Sequence, residues 1–129
     1  MKTLTLALLV FFNIAAFTDN ANEENTRFVL IEAKCTPGFN ALPEYTEKVI
    51  LTKVFKKEFA NAFEIVNAEP DLISEFEVAL EKAYPNSRNQ VRDILVYMLT
   101  TEQEAKELYQ RKLKQFKTLN TGVIELKLR

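Results

Sequence analysis

Over most of its length, this chain changes repeatedly between a two-residue and a helical spacing of apolar residues, and the order of these segments constrains the fold most. Residues 27–35 (RFVLIEAKC) are rich in β-formers and end at the turn sequence Thr36-Pro37-Gly38, which predicts a first strand. Residues 91–100 and 123–128 alternate in the same way. We expect strands there as well.

Residues 48–59 (KVILTKVFKKEF, Lys48 to Phe59) fit both spacings. Val49 and Leu51 alternate with Ile50, as in a strand that is buried on both faces. An amphipathic helix is also compatible with the three- and four-residue spacing of Tyr45, Val49, Thr52, Phe55, Phe59, Phe63 and Val66. β-Branched and aromatic residues dominate the start of the segment, which favours a strand over a helix.

A first helix is predicted between the second and third strands. Pro70 and Asp71 open it, and it runs to about Tyr84, where Pro85 stops it. Its expected buried stripe consists of Leu72, Ile73, Phe76, Ala79, Leu80 and Ala83.

A second helix begins at a predicted capping box, in which Thr101 and Glu104 bond each other's free amides. It runs to about Leu119 and ends at Asn120-Thr121-Gly122, which includes a residue that tolerates positive φ. The side chains expected to be buried are Ala105, Leu108, Tyr109, Lys112 by its stem, Phe116 and Leu119.

The predicted order is therefore β-β-α-β-α-β. We expect an α+β two-layer sandwich in which a four-stranded sheet carries two helices on one face, a ferredoxin-like or related fold.

The first 16 residues predict an export signal. Met1-Lys2 supplies a positive charge, and residues 4–12 form an apolar run that is too short to span a bilayer. We expect cleavage after Ala16, with Phe17 or Ala21 as alternatives. Residues 17–26 then form a polar spacer, and residues 27–129 form a single domain with no membrane span, which places the protein in a periplasm or outside the cell.

The charge balance argues against nucleic acid as a partner. The chain has 17 basic and 18 acidic residues, and loss of Lys2 with the signal leaves the mature chain slightly more acidic. Binding to phosphate backbones needs a basic surplus, because each contact neutralises a negative charge.

The usual chemical motifs are missing from the sequence. It contains no histidine, two glycines and one cysteine, so zinc or haem sites and nucleotide-binding loops are not expected, and no cofactor is predicted. Its two serines, Ser74 and Ser87, lie in a helix and in a turn, outside any nucleophile motif. We therefore assign no catalytic, cofactor-binding or metal-ligating residue.

Some residues still have both a functional and a structural interpretation. Cys35 is either a reactive or intermolecular thiol or, as its neighbours favour, a small buried residue of the strand. Two carboxylate pairs, Glu23-Glu24 and Glu102 with Glu104, fit a solvated spacer and a helix start better than glycosidase chemistry.

A cationic surface on the second helix could meet an acidic partner, although a solvated helix face with paired charges is favoured. Its residues are Lys106, Arg111, Lys112, Lys114 and Lys117, with Lys53, Lys56 and Lys57 as further members. Tyr45, Tyr97 and Tyr109 could line a glycan-binding face, but such aromatic residues more often belong to the core.

Residues 91–128 resemble the second half of SPOR domains, small envelope modules that bind peptidoglycan. The similarity lies in a strand, a threonine, a helix that opens with Glu102-Gln103-Glu104-Ala105, Gly122 and a closing strand. The Gly-x-Phe-type strand end of that family is absent, so no residue role is carried over.

We expect an exported, non-enzymatic binding module that contacts a protein or glycan through an open sheet face or an edge strand, as a monomer or weak dimer. The alternative is a small secreted hydrolase or inhibitor-like protein with an unrecognised site.

Overall fold

The computed structural model describes residues 24–128, so the predicted signal and most of the spacer lie outside the described residues. The strands are β1 (Thr26–Cys35), β2 (Lys48–Thr52), β3 (Phe55–Glu58), β4 (Val91–Leu99) and β5 (Gly122–Leu126). The helices are α1 (Ala62–Val66), α2 (Glu69–Ala83) and α3 (Glu102–Thr118), with a 3₁₀ turn at Arg88–Gln90. The prediction of a small mixed α+β domain is confirmed.

β1 is the central strand of the sheet. It pairs antiparallel with β4 along one edge and with both β2 and β3 along the other, and β5 adds to β2 in parallel. Six of the seven residues from Val29 to Cys35, including Glu32, are buried, and Lys34 is exposed. The strand itself was predicted, and its almost continuously apolar sequence is typical of a strand that is covered on both faces.

Residues 48–59 are extended, as the favoured strand interpretation predicted, but they form two strands instead of one. β2 ends at Thr52 and β3 begins at Phe55, so the sheet has five strands where four were predicted. At the break, the Thr52 hydroxyl accepts a hydrogen bond from Ile31 N at 2.8 Å. This side-chain bond satisfies a central-strand amide that the interrupted ladder would otherwise leave unpaired.

The two long helices lie on opposite faces of the sheet, so the prediction of both helices on one face is not confirmed. Val29, Ile31 and Ala33 of β1 share a core with Leu72, Phe76 and Leu80 of α2. On the alternate positions, Lys112 of α3 meets Glu32 and Tyr109 of α3 meets Glu125. Because successive strand residues point to opposite faces, α2 and α3 must cover different sides.

The core beneath α2 holds most of the fully buried side chains. Leu72, Phe76 and Leu80 are no more than 1% exposed, and each contributes about 1.5–3 kcal/mol through burial. Ile73 and Ala79 are half-buried and Ala83 is exposed, so the buried stripe is narrower than predicted. Of the residues predicted to be buried on the second helix, Ala105 and Phe116 are buried, whereas Leu119 is 65% exposed.

The helix ends differ in detail from the prediction. Thr101 Oγ1 accepts a bond from Glu104 N, but the Glu104 carboxylate meets Thr100 Oγ1 instead of completing the capping box. At the other end of α3, Asn120 takes the positive φ of 55°, and Gly122 does not. Asparagine tolerates this conformation, so the glycine is free to begin β5.

The short helix α1 was not predicted. Asn61 Oδ1 accepts a bond from Glu64 N, and Glu64 Oε2 accepts one from Ala60 N. At its other end, Asn67 Nδ2 donates to Phe63 O. Side-chain bonds therefore hold both ends of a helix that contains no buried residue.

Candidate functional site

The outer edge of β4 is the most extensive unpaired feature of the sheet. β4 matches β1 over seven residue pairs, and among residues 24–128 no strand pairs with its other edge. From Ile94 to Leu99 the strand reads ILVYML, without a charge or a proline. None of its nine residues is fully buried, and Leu95 is 47% exposed.

The usual protection of an edge strand is confined to the start of β4. The register with β1 shifts between Glu32 and Lys34, where β4 contains an extra residue, and Asp93 has a positive φ of 52°. Bulges and charged residues discourage pairing with another chain. Arg92 and Asp93 provide the bulge and the charges at one end of β4 only. The six residues that follow them present regular strand backbone without such protection.

A charged cluster lies behind this edge, between the sheet and α3. Lys112 Nζ is 2.8 Å from Glu32 Oε1, donates a hydrogen bond to Tyr97 Oη at 3.0 Å, and lies 4.9 Å from the Tyr97 ring centroid. Glu32 Oε1 meets Lys112 as an ion pair without an aligned hydrogen bond. The cluster ties α3 to both β1 and β4.

The electrostatics of this cluster keep Lys112 protonated. Burial disfavours its charge, but Glu32 and Tyr97 together outweigh that effect, and the pKa of Lys112 is raised. Nearby, Tyr109 Oη donates to Glu125 Oε1 at 2.6 Å. Burial, followed by this bond, raises the pKa of Tyr109. Both groups therefore hold their protons at neutral pH and act as fixed donors.

Cys35 lies in the core at the end of β1, which confirms the favoured prediction of a small buried strand residue. It is free, and burial raises the pKa of its thiol to about 11, against the smaller opposing effect of Lys48. A thiol needs to ionise to act as a nucleophile or form a disulfide. Its surroundings are those of an inert core residue.

The structure disperses the other residues that the sequence singled out. Glu24 is exposed at the start of the described chain, and Glu23 lies outside the described residues. Glu102 pairs with Lys106 at 2.7 Å, which lowers the pKa of Glu102, and the Glu104 carboxylate accepts a hydrogen bond from Thr100 Oγ1 at the start of α3. These carboxylates have local helical roles.

The predicted cationic surface does not assemble into one patch. Lys112 points inward to Glu32, and Lys57 pairs with Glu75 of α2 at 2.7 Å on the opposite face. Lys56 pairs with Glu58, while the remaining members, Lys53, Arg111, Lys114 and Lys117, are exposed.

The three tyrosines that the sequence singled out also make contacts within the fold. Tyr97 and Tyr109 bond Lys112 and Glu125 as described, and the Tyr45 ring packs so closely on Gly122 that a Cβ there would lie 2.7 Å from Tyr45 Cγ. They do not line a shared aromatic face.

Within the described part of the chain, no cluster of three metal-ligating side chains occurs, and no helix is long and apolar enough to cross a membrane. No protein-family model matches the chain, and comparisons with curated proteins and with solved structures gave no significant match.

Sequence reasoning identified Lys112 as a residue with a buried stem but missed its partner. The signal for Glu32 was its position as a lone acid within the apolar run of β1. The free edge had no local signal, because β4 has the same composition whether one or both of its edges are paired.

Proposed function

We propose that this protein is an exported, non-enzymatic interaction module that binds an extended segment of a partner protein along the free edge of β4. The observation that carries the proposal is the unprotected apolar edge from Ile94 to Leu99. The open sheet face considered from sequence is not a candidate, since α2 and α3 cover opposite faces.

Strand addition suits this edge because backbone donors and acceptors supply affinity while alternate side chains supply specificity. Val96 and Met98 point to the α2 side of the sheet, whereas Leu95 and Tyr97 point to the α3 side. All four remain partly exposed. An added strand with apolar residues on both faces would cover them, so we expect ligands with a nearly continuous apolar run.

The proton affinities support binding over acid–base catalysis. A general acid or base works best with a pKa near the operating pH. Among the described residues, every resolved shift moves a pKa further from neutral pH. The pKa values of Cys35 and Lys112 are raised, and that of Glu81 is lowered by backbone hydrogen bonds from residues 86–88. Turnover in a broad hydrolase screen would favour the alternative, a secreted hydrolase or inhibitor-like protein.

The edge also bears on self-association. We expect a monomer or weak dimer, since the buried Cys35 offers no exposed thiol for a cross-link. A stable dimer that pairs two β4 strands would occupy the edge and contradict the proposal that a partner segment binds there.

The test uses peptides selected from a displayed random library against the purified protein. We expect the selected peptides to be apolar and extended, and to protect β4 amides from hydrogen exchange. Leu95→Lys places a charge on the edge and should weaken binding by roughly tenfold or more. Leu119→Lys, at an exposed leucine at the end of α3, is the matched control and should bind as the wild type does.

Both variants are first checked for native unfolding midpoints. Selected peptides that leave β4 exchange unchanged, or that bind Leu95→Lys and the wild type equally, would overturn the proposal.

A further inference from the structure

A second exposed surface lies on the side of β1 away from β4, where α1 follows β3 in the chain. Phe63 and Val66 are 76% and 80% exposed. They are three residues apart on α1 and therefore share one face of the helix. Because the capping bonds hold α1 in place, both side chains are held in water with no partner in the described part of the chain.

A groove of about 570 Å³ runs beside these residues, between the end of β3 and the first turns of α2. Its apolar part includes Phe59 and Phe63, with Ala68 and Leu72 in its lining. On the other side of α1, a second depression is lined by Val66, Pro70 and Ile73. The helix thus forms an apolar ridge between two recesses.

The rim of this surface is acidic. Four carboxylates line the groove, namely Glu58, Glu64, Asp71 and Glu75, and Glu69 lines the second depression. Among the described residues of the groove, Lys57 is the single cation, and it is already bound to Glu75 at 2.7 Å. An apolar surface with this rim attracts cations and disfavours an anionic lipid surface.

We propose that the α1 ridge, defined as Phe63 and Val66 with the groove beside them, binds a cationic amphipathic segment of a partner protein. Apolar side chains of the segment fill the groove, and its lysines or arginines meet Glu64 and Asp71 on the rim. Large exposed apolar patches rimmed by polar groups typically mark interaction sites. The site is separate from the β4 edge, because β3 and β4 flank opposite edges of β1.

The test measures binding of a synthetic amphipathic Leu/Lys peptide and of its Leu/Glu analogue by fluorescence anisotropy. We expect the Leu/Lys peptide alone to bind, with an affinity that falls as salt rises. Phe63→Ala and Asp71→Lys should each weaken binding by roughly tenfold. Both positions are exposed, so neither variant alters the core.

The matched charge control is Glu44→Lys, in the exposed loop before β2. It changes the net charge as Asp71→Lys does and should leave binding unchanged, as should Leu95→Lys on β4. Equal losses in Glu44→Lys and Asp71→Lys, binding of both peptides alike, or binding to neutral vesicles that Phe63→Ala abolishes would each overturn the proposal.

Discussion

Lys112 of α3 and Glu32 of β1 form an ion pair of 2.8 Å across the interface between helix and sheet. Their side chains are 18% and 9% exposed, so both charges are largely removed from water. Such a pair fixes which face of the sheet α3 occupies, because neither charge is tolerated there without the other.

We predict that Lys112→Met lowers the free energy of unfolding by about 3–5 kcal/mol at neutral pH, since it leaves the Glu32 carboxylate buried without a counter-charge. Urea unfolding measures this change. The double variant Glu32→Leu/Lys112→Met removes both charges and should recover most of the loss. Lys114→Met, on the exposed side of the same helix, should be nearly neutral. A double variant as unstable as Lys112→Met would contradict the account.

Stability should fall in alkali partly because of Cys35. Burial raises the pKa of its thiol from 9.0 to about 11. Because the pKa is higher in the folded state, the neutral thiol contributes about 2–3 kcal/mol to the free energy of unfolding. This contribution is complete below pH 9 and is lost as pH rises through about 11. Unfolding of the wild type and of Cys35→Ala is compared across this range under reducing conditions. The difference between the two should shrink as pH rises, and parallel curves would show that the thiol does not contribute.

The hydroxyl of Thr52 should matter more than its size. It is fully buried and accepts the 2.8 Å bond from Ile31 N at the break between β2 and β3. Thr52→Val keeps the shape of the side chain but leaves the Ile31 amide without an acceptor, which should lower the free energy of unfolding by about 1–3 kcal/mol. Thr52→Ser keeps the acceptor and should cost less, and the exposed Thr46→Val is the control. Equal losses in the valine and serine variants would assign the effect to packing.

Export is tested on the full-length chain. We expect the secreted or periplasmic product to begin at Phe17, as determined by intact mass and N-terminal sequencing. Replacing Leu8 and Leu9 by arginine interrupts the apolar run and should retain the precursor in the cytoplasm. Uncleaved wild-type precursor in the cytosol would refute the export signal.

The elements that local sequence governs were predicted well. β1, α2, β4 and α3 lie within a residue or two of their expected bounds, because periodicity, Pro70 and the Thr101 cap act over a few neighbouring residues. The short helix α1 was missed, since its apolar residues continue the pattern of the preceding segment and its caps are made by asparagine and glutamate side chains that also occur in loops.

The candidate sites were less predictable. Composition argued against common cofactors and catalytic motifs, and the predicted open sheet suggested its face or an edge strand as the surface that binds a partner. It could not show which strand is the edge, that Glu32 meets Lys112, or that Phe63 and Val66 stay exposed, because each depends on residues far apart in the chain.

The sequence by itself determined the order of β1, α2, β4, α3 and β5 and the main buried residues of α2, because these follow from local periods, caps and breakers. Only the tertiary structure decided that α2 and α3 cover opposite faces, that β2 and β3 share one edge of β1, and that β4 is left unpaired on its outer side. Strand pairing joins residues up to 74 positions apart, as between Lys48 and Gly122, and no local pattern specifies which edges meet.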